Sequence, residues 1–322
     1  MELQTYKTDF SNHLEVRLQK KEPAGLYNPI HYILNLGAKR IRPVLTLMSC
    51  DLFGGEVEKA LDAALAVEVF HNFSLIHDDI MDDAPLRRGK ATVHEKWNLN
   101  AGILSGDAML ILANQLLESY QGSQFKKLVS VFNKTALEVC EGQQYDVDFE
   151  KQDNVSEEQY IHMITLKTAV LLATALQFGA IIASAHEDDM HNIYNFGLNL
   201  GIAFQLQDDY LDAFGNPETF GKQIGGDIIE NKKTLLYIKA LELASVTDKK
   251  ALVSLYSEKQ ESEGKVEKVK ILFLRYGIPN LIEEEISKYT FLAISNIDKL
   301  SLNMHKKEKL KSFSKSLMER KV

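Results

Sequence analysis

The stretch Ser74–Gly89, SLIHDDIMDDAPLRRG, sets aspartates at 78, 79, 82 and 83 at the end of an apolar run, with Arg87 and Arg88 a few residues on. If that run is helical, Asp78 and Asp82 share one face at i and i+4, and Asp79 and Asp83 share the adjacent one. Two carboxylates about 4 Å apart repel by roughly 4 kcal/mol at an effective dielectric near 20, so the crowding needs a counter-ion. Oxygen-only ligands with no cysteine nearby suit Mg²⁺ or Mn²⁺, and Mg²⁺ takes one or two carboxylates and completes its shell with water and phosphate. The two guanidinium groups suit the same phosphate. A solvated turn is the competing reading of one such cluster. A second cluster weakens it: Phe204–Phe214, FQLQDDYLDAF, repeats the i, i+1, i+4 spacing with Asp208, Asp209 and Asp212 behind another apolar helical run.

Upstream, the pattern predicts a helix over Val57–Asp82 that carries the first cluster at its C-terminus, where aspartates oppose the macrodipole unless cations are bound. His71 lies seven residues before Asp78 and so falls on the same face. Leu36–Pro43, LGAKRIRP, packs Lys39, Arg40 and Arg42 into four positions, and reads as a phosphate site or an exposed basic loop; no glycine-rich P-loop competes for that role. Earlier still, Phe10–Lys21 is amphipathic, and a turn over Pro23–Pro29 precedes a helix starting near Ile30.

Downstream, an apolar helix is expected from Gly106 to Tyr120, and Ala136–Phe149 ends in EGQQYDVDF, which extends the acidic surface or solvates it. Ser156 caps a helix that brings Lys167 and Thr168 to Thr168–Ala185, a run without a charged residue. A lysine leading into so apolar a wall must point at water or at an anion. The run is long enough to cross a membrane, but Thr174, Gln177, Gly179 and Ser184 favour a helix buried inside a bundle, and no transmembrane segment is expected. Gly221–Thr234, GKQIGGDIIENKKT, is too polar for a core and supplies Lys222, Asp227, Glu230 and Lys232. Thr247–Lys321 reads as helical, its basic tail His305–Lys321 as a packed terminal helix.

No convincing period-two strand occurs, so the class is all-α. The expected architecture is one large helical bundle around a central elongated cavity. The 322 residues hold only six prolines and no linker-like stretch, which predicts a single domain over residues 1–322. A net charge of −8 without a basic stripe argues against nucleic acid as the partner. Cys50 and Cys140 have no ligand-like spacing, so a reducing compartment and no disulfide are expected. Met1–Asn12 has no apolar core, so no signal peptide is expected. The expected location is cytoplasmic.

Two cation-binding clusters, scattered lysines and arginines, and apolar helix walls describe a pocket for a molecule with a diphosphate at one end and hydrocarbon along its length. The chain resembles the trans-isoprenyl diphosphate synthases over nearly its whole length. GxKRxRP stands at Gly37–Pro43, DDxxD at Asp78–Asp82, RRG at Arg87–Gly89 and GD at Gly106–Asp107. KT stands at Lys167–Thr168, QxxDDxxD at Gln205–Asp212 and GDxxExKxT at Gly226–Thr234. The family usually has two glycines where this chain has Gly37 and Ala38.

The resemblance implies a prenyltransferase that joins isopentenyl diphosphate to an allylic diphosphate, works with three Mg²⁺ and forms a homodimer. It implies Asp78, Asp82 and Asp208 as primary metal ligands, with Asp79, Asp209 and Asp212 in support. Arg87, Lys167, Lys222 and Lys232 would hold the allylic diphosphate, and Lys39, Arg42, His71 and Arg88 isopentenyl diphosphate. Thr168, Gln205 and the Lys167 backbone would stabilise the allylic cation, and departing pyrophosphate would take the proton, so no protein base is needed. Product length would be set beneath the first cluster: Phe73, with small Ser74 beside it, follows the pattern of twenty-carbon geranylgeranyl products, farnesyl diphosphate being the alternative, and Phe70 is a deeper floor. A terpene cyclase or squalene-type synthase would not need the isopentenyl site. A metal-dependent phosphohydrolase explains neither the second cluster nor the basic loop, and a catalytically silent regulatory subunit would be expected to have lost a cluster.

Overall fold

Helix accounts for 81% of the described residues in the computed structural model, against two strands of two residues each among them, so the class is all-α. The structure describes residues 2–19, 21–152, 154–215, 225–257 and 264–318. Lys222 lies outside them. In order, the helices are α1 (Glu2–Arg17), α2 (Ala24–Leu34), α3 (Ile41–Leu52), α4 (Leu61–Met81), α5 (Val93–Lys96), α6 (Leu99–Leu117), α7 (Gly122–Lys151), α8 (Glu157–Ile164), α9 (Val170–Ile182) and α10 (Glu187–Phe214). They continue as α11 (Gly226–Ile229), α12 (Leu235–Leu243), α13 (Val246–Ser257), α14 (Lys265–Arg275), α15 (Ile278–Asp298) and α16 (Met304–Met318).

Two compact units form. The first comprises Met1–Leu137, Leu171–Tyr194 and Leu300–Leu302, and the second Glu138–Val170, Asn195–Lys299 and Asn303–Val322. In the first unit α4 packs along α6. Small residues make that approach possible: a Cβ on Gly106 would stand 2.2 Å from Nε2 of His77, and one on Gly102 2.8 Å from Cδ1 of Ile80. This accounts for glycine in the GD pair. Phe10, Leu45, Leu47, Phe70, Phe132 and Phe178 are sealed in this unit. Cys50 is buried there too, its thiol pushed up to about 12 by burial and then by Asp51, Glu58 and Glu56, so it is an unreactive core residue.

The second unit is built on Tyr160, Met163, Ala169, Ile202, Leu206, Leu235, Leu252, Phe273 and Ile282. α8 starts where expected: Ser156 accepts from the amide of Gln159, whose side chain returns the bond to the Ser156 amide. Between α8 and α9, Thr165–Ala169 forms one π-helical turn. The helical run Glu157–Ile182 is long and apolar enough to span a membrane, and 78% of its most apolar window is buried inside the protein.

Several element boundaries differ from expectation. α2 begins at Ala24 rather than near Ile30, with Pro29 inside it; the proline has no N–H, so the helix forgoes its bond to the carbonyl four residues back. The stretch over Val57–Asp82 opens with a 3₁₀ turn at Val57–Ala60 before α4. α6 starts at Leu99, where the Asn98 side chain accepts from the Ala101 amide, a cap that apolar periodicity alone does not reveal. A short hairpin, β1 (Leu86–Arg87) and β2 (Lys90–Ala91), follows the first acidic cluster.

Candidate active site

In the first unit the aspartates divide by helix geometry. Asp78 is half-buried and Asp82 exposed at the C-cap of α4, while Asp79 is buried. Asp79 takes both of its oxygens to Nε of Arg87, 2.8 Å each, and Nη2 of Arg87 adds a contact of 2.6 Å. Burial raises the pKa of Asp79, and the arginine opposes that rise. The hairpin explains how Arg87 reaches back: Arg87 pairs with Lys90, and the two residues between them, Arg88 and Gly89, both have positive φ, 53° and 72°. That is the geometry of a tight I′ turn, and the glycine of RRG meets its second position without strain.

The basic loop stands against the same helix. Nη1 of Arg42 lies 3.1 Å from Nε2 of His71. Burial, and then the charges of Arg42, Arg88, Arg87 and Arg40, hold the His71 ring well below its usual pKa, so it is neutral. Because arginine can only donate, Nε2 accepts and the proton sits on Nδ1. Lys39 is exposed. Arg40 is not a surface residue of this loop: it turns inward to Glu68, Nη1 to Oε1 at 2.5 Å, and to the Leu34 carbonyl. Below the aspartates the Phe73 ring packs 4.9 Å from His77 and 5.4 Å from Phe70, and Phe70 meets Phe132 edge-on at 5.4 Å. Ser74 turns its hydroxyl onto the His71 carbonyl at 2.9 Å.

In the second unit the same division recurs. Asp208 and Asp212 are half-buried and Asp209 is sealed. Asp209 accepts from the Tyr160 hydroxyl and, at 2.8 Å, from Nε2 of Gln205, whose Oε1 accepts from Thr168 at 3.0 Å. Gln205 and Thr168, predicted to act together, are therefore in direct contact. Asp212 accepts from the Asp227 amide at 3.0 Å. Burial and the charge of Asp227 push the Asp209 carboxyl far above the ordinary carboxylate range, and the bonds from Tyr160 and Gln205 offset only part of that. Lys167 finds the anion its position demands: Nζ lies 2.5 Å from Oδ2 of Asp146. It sits in the π turn, which presses on α7 where a Cβ on Gly142 would come 2.3 Å from the Lys167 nitrogen. Lys232 pairs with Glu230 at 2.8 Å.

The polyprenyl synthetase family model matches residues 23–272. The chain belongs to that family. A solved geranylgeranyl pyrophosphate synthase is 53% identical and superposes with a TM-score of 0.95, each chain covered to 99%. The geranylgeranyl diphosphate synthase of Saccharolobus solfataricus is 37% identical over 315 residues, 96% of this chain and 95% of its own length. The Corynebacterium glutamicum geranylgeranyl pyrophosphate synthase, solved with isoprenyl diphosphate and magnesium, is 26% identical with a TM-score of 0.87, covering 99% and 97% of the two chains.

As a member of this family the protein is a prenyltransferase that uses isoprenyl diphosphates and a divalent metal. Its donor set fits Mg²⁺. Among the described residues no three His, Cys, Asp or Glu side chains converge into a closed cage. The acidic groups are instead half-open carboxylates supported by committed neighbours, as suits an ion that keeps water and phosphate in its shell. Glu68, Tyr160 and Gly142 went unread in the sequence, and Asp146 was read only as part of an acidic surface, without its partner Lys167. A glutamate inside the apolar run Leu61–Phe73 and a glycine inside a long helix were signals for two of them, since a buried charge needs a partner and a mid-helix glycine marks close approach. Tyr160 gave none.

Proposed function

We propose that this protein condenses isopentenyl diphosphate with an allylic diphosphate, with three Mg²⁺, and delivers chiefly geranylgeranyl diphosphate. The observation that carries the reading is the doubled arrangement of half-open aspartates, each backed by a sealed partner, alongside the neutral His71 and Arg42 pair suited to a second diphosphate. Mg²⁺, when bound, neutralises the charge that gathers on the leaving pyrophosphate. Asp78, Asp82 and Asp208 hold the ions, and Asp212 assists them. Lys167 and Lys232 grip the same diphosphate, Lys167 exchanging Asp146 for it. Lys39, Arg42, Arg88 and the Nδ1 proton of His71 hold isopentenyl diphosphate.

The allylic carbon–oxygen bond breaks and pyrophosphate leaves with the electron pair. The oxygen dipoles of Thr168 and Gln205, with the Lys167 carbonyl, steady the allylic cation. The π electrons of isopentenyl diphosphate then form the new carbon–carbon bond, and the tertiary cation so made loses a proton to pyrophosphate. Phe73, clamped between Phe70 and His77, stops the growing chain, while Ser74 leaves the approach to it open. We further propose that the two units act as one synthase domain, in a cytoplasmic homodimer.

The test incubates the protein with Mg²⁺, labelled isopentenyl diphosphate and five-, ten- or fifteen-carbon starters, and sizes the products. Twenty-carbon diphosphate from each starter is expected. No condensation would sink the reading, and a dominant fifteen-carbon product would move it to the farnesyl alternative. Light scattering that returned the mass of one chain would refute the dimer.

A further inference from the structure

Lys265 opens α14 behind Gly264, whose φ of 76° turns the chain, and it has no solvent exposure. Moving an ammonium into a protein interior costs several kcal/mol, so a lysine placed there needs strong local compensation. Its Nζ donates to Oδ1 of Asn231 at 2.6 Å and to the carbonyl of Ile229 at 3.4 Å, and lies 5.8 Å from the centre of the Tyr256 ring. Asn231 has φ of 60°, a left-handed conformation that asparagine enters more readily than other non-glycine residues, and the ammonium on its Oδ1 holds it there.

The next residue is Lys232, and the backbone on both sides of it is tied down. Its amide donates to the Asp227 carbonyl at 2.8 Å, and the Asp227 amide donates to the carboxylate of Asp212. Lys233 turns the other way, its ammonium capping the end of α7 at the carbonyls of Phe149, Glu150 and Gln152. Of two adjacent lysines, one is therefore a structural pin, and the turn at Asn231 decides where the other leaves the chain. The acidic groups of this unit act on the same small volume. Burial and then the charges of Asp227 and Asp212, with Tyr237, hold the Tyr256 hydroxyl well above its usual pKa.

We propose that Lys265 is a positioning residue for the diphosphate end of the reaction: through Asn231 it fixes the turn that delivers Lys232. This rests on Lys232 as a diphosphate ligand. The test uses the full chain as Lys265→Met, which keeps an apolar stem and removes the charge, and as Asn231→Gly, which keeps the left-handed backbone and removes the acceptor. Calorimetric binding of inorganic pyrophosphate with Mg²⁺ should weaken about tenfold in Lys265→Met, the KM for the allylic substrate should rise in step, and the KM for isopentenyl diphosphate should stay within about twofold. Asn231→Gly should show the same split more mildly, and it decides the matter if Lys265→Met does not fold. Unchanged pyrophosphate binding in a folded variant would overturn the inference, as would an equal rise in both KM values. Lys232→Ala runs in parallel: if it binds pyrophosphate as the parent does, the reading of Lys232 itself has failed and the inference goes with it.

Discussion

Arg40→Met should destabilise the protein sharply, and adding Glu68→Leu to it should restore most of the loss. The pair is sealed, with side-chain exposures of 8% and 3%, and the guanidinium also reaches the Leu34 carbonyl and stacks 6.0 Å from the Phe10 ring centre. Removing the arginine alone leaves Glu68 buried with Nδ2 of Asn72, 3.3 Å away, as a neutral donor. Breaking a buried pair in this way costs about 3–5 kcal/mol, whereas replacing both partners by apolar residues is often neutral. Arg40 has φ of 55°, but methionine would bear the same left-handed cost, so that term cancels. At about 2.1 cal/mol/K of unfolding entropy per residue the single variant should melt roughly 4–7 °C lower, and the double variant within a degree or two of the parent. Scanning calorimetry measures both. The double variant should also raise the KM for isopentenyl diphosphate several-fold and leave that for the allylic substrate unchanged, because Lys39 and Arg42 flank the residue whose anchor is gone. A double variant as unstable as Arg40→Met would refute the reasoning, since the damage would then lie in packing and not in a stranded charge.

Phe73→Ala should lengthen the product by one five-carbon unit, because the next floor, Phe70 against Phe132, lies about 4.5 Å deeper at 1.5 Å per residue; Ser74→Phe should shorten it. Chromatography of the dephosphorylated products decides, and unchanged lengths from both folded variants would place the stopper elsewhere. Asp62 joins α4 to α1 through His13 at 2.8 Å and Arg17; burial alone would raise its pKa, but those bonds outweigh it and bring it to about 2. A depressed carboxylate contributes stability that is full above its unfolded value near 4 and is lost as pH falls through its folded value. Asp62→Asn should therefore lose about 1 kcal/mol at pH 7, after screening of a partly exposed pair, and the gap to the parent in urea melts should close between about pH 4 and 2; a gap that persists at pH 2 would contradict this. Gly142→Ala should lower stability by about 1–3 kcal/mol by overpacking and cut turnover at least tenfold, since its methyl would displace the Lys167 backbone; wild-type kcat in that variant would show that the π turn does not need its seat.

What could be read from the sequence was chemistry held at short spacing. The aspartate pairs, RRG, and Lys167 with Thr168 each announce themselves within a turn or two of chain, because local geometry alone brings them together. The charge-free run after Thr168 was legible as a core helix for the same reason. The partners that hold these groups were not legible, because they come from elsewhere in the chain: Tyr160 reaches Asp209 across 49 positions and Asp146 reaches Lys167 across 21. Arg40 shows the limit most clearly. Its neighbours Lys39 and Arg42 invite reading all three as one basic patch, yet a left-handed backbone at Arg40 sends it to a glutamate 28 residues on.

Each aspartate set also contains a reason for its own form. In an α-helix consecutive residues point about 100° apart, so the second aspartate of a DD pair cannot share the face of the first, while the one four positions on can. Asp79 and Asp209 are accordingly the sealed members, one tied to Arg87 and the other to Tyr160 and Gln205, and the carboxylates left toward the surface are those at i and i+4. A sealed carboxyl with its oxygens engaged fixes the rotation of the helix end. A pair of open carboxylates alone would leave that rotation to the soft last turn of α4. The doubled aspartate is thus one carboxylate left toward the surface and one anchor, and the same division appears independently in both units because the helix imposes it.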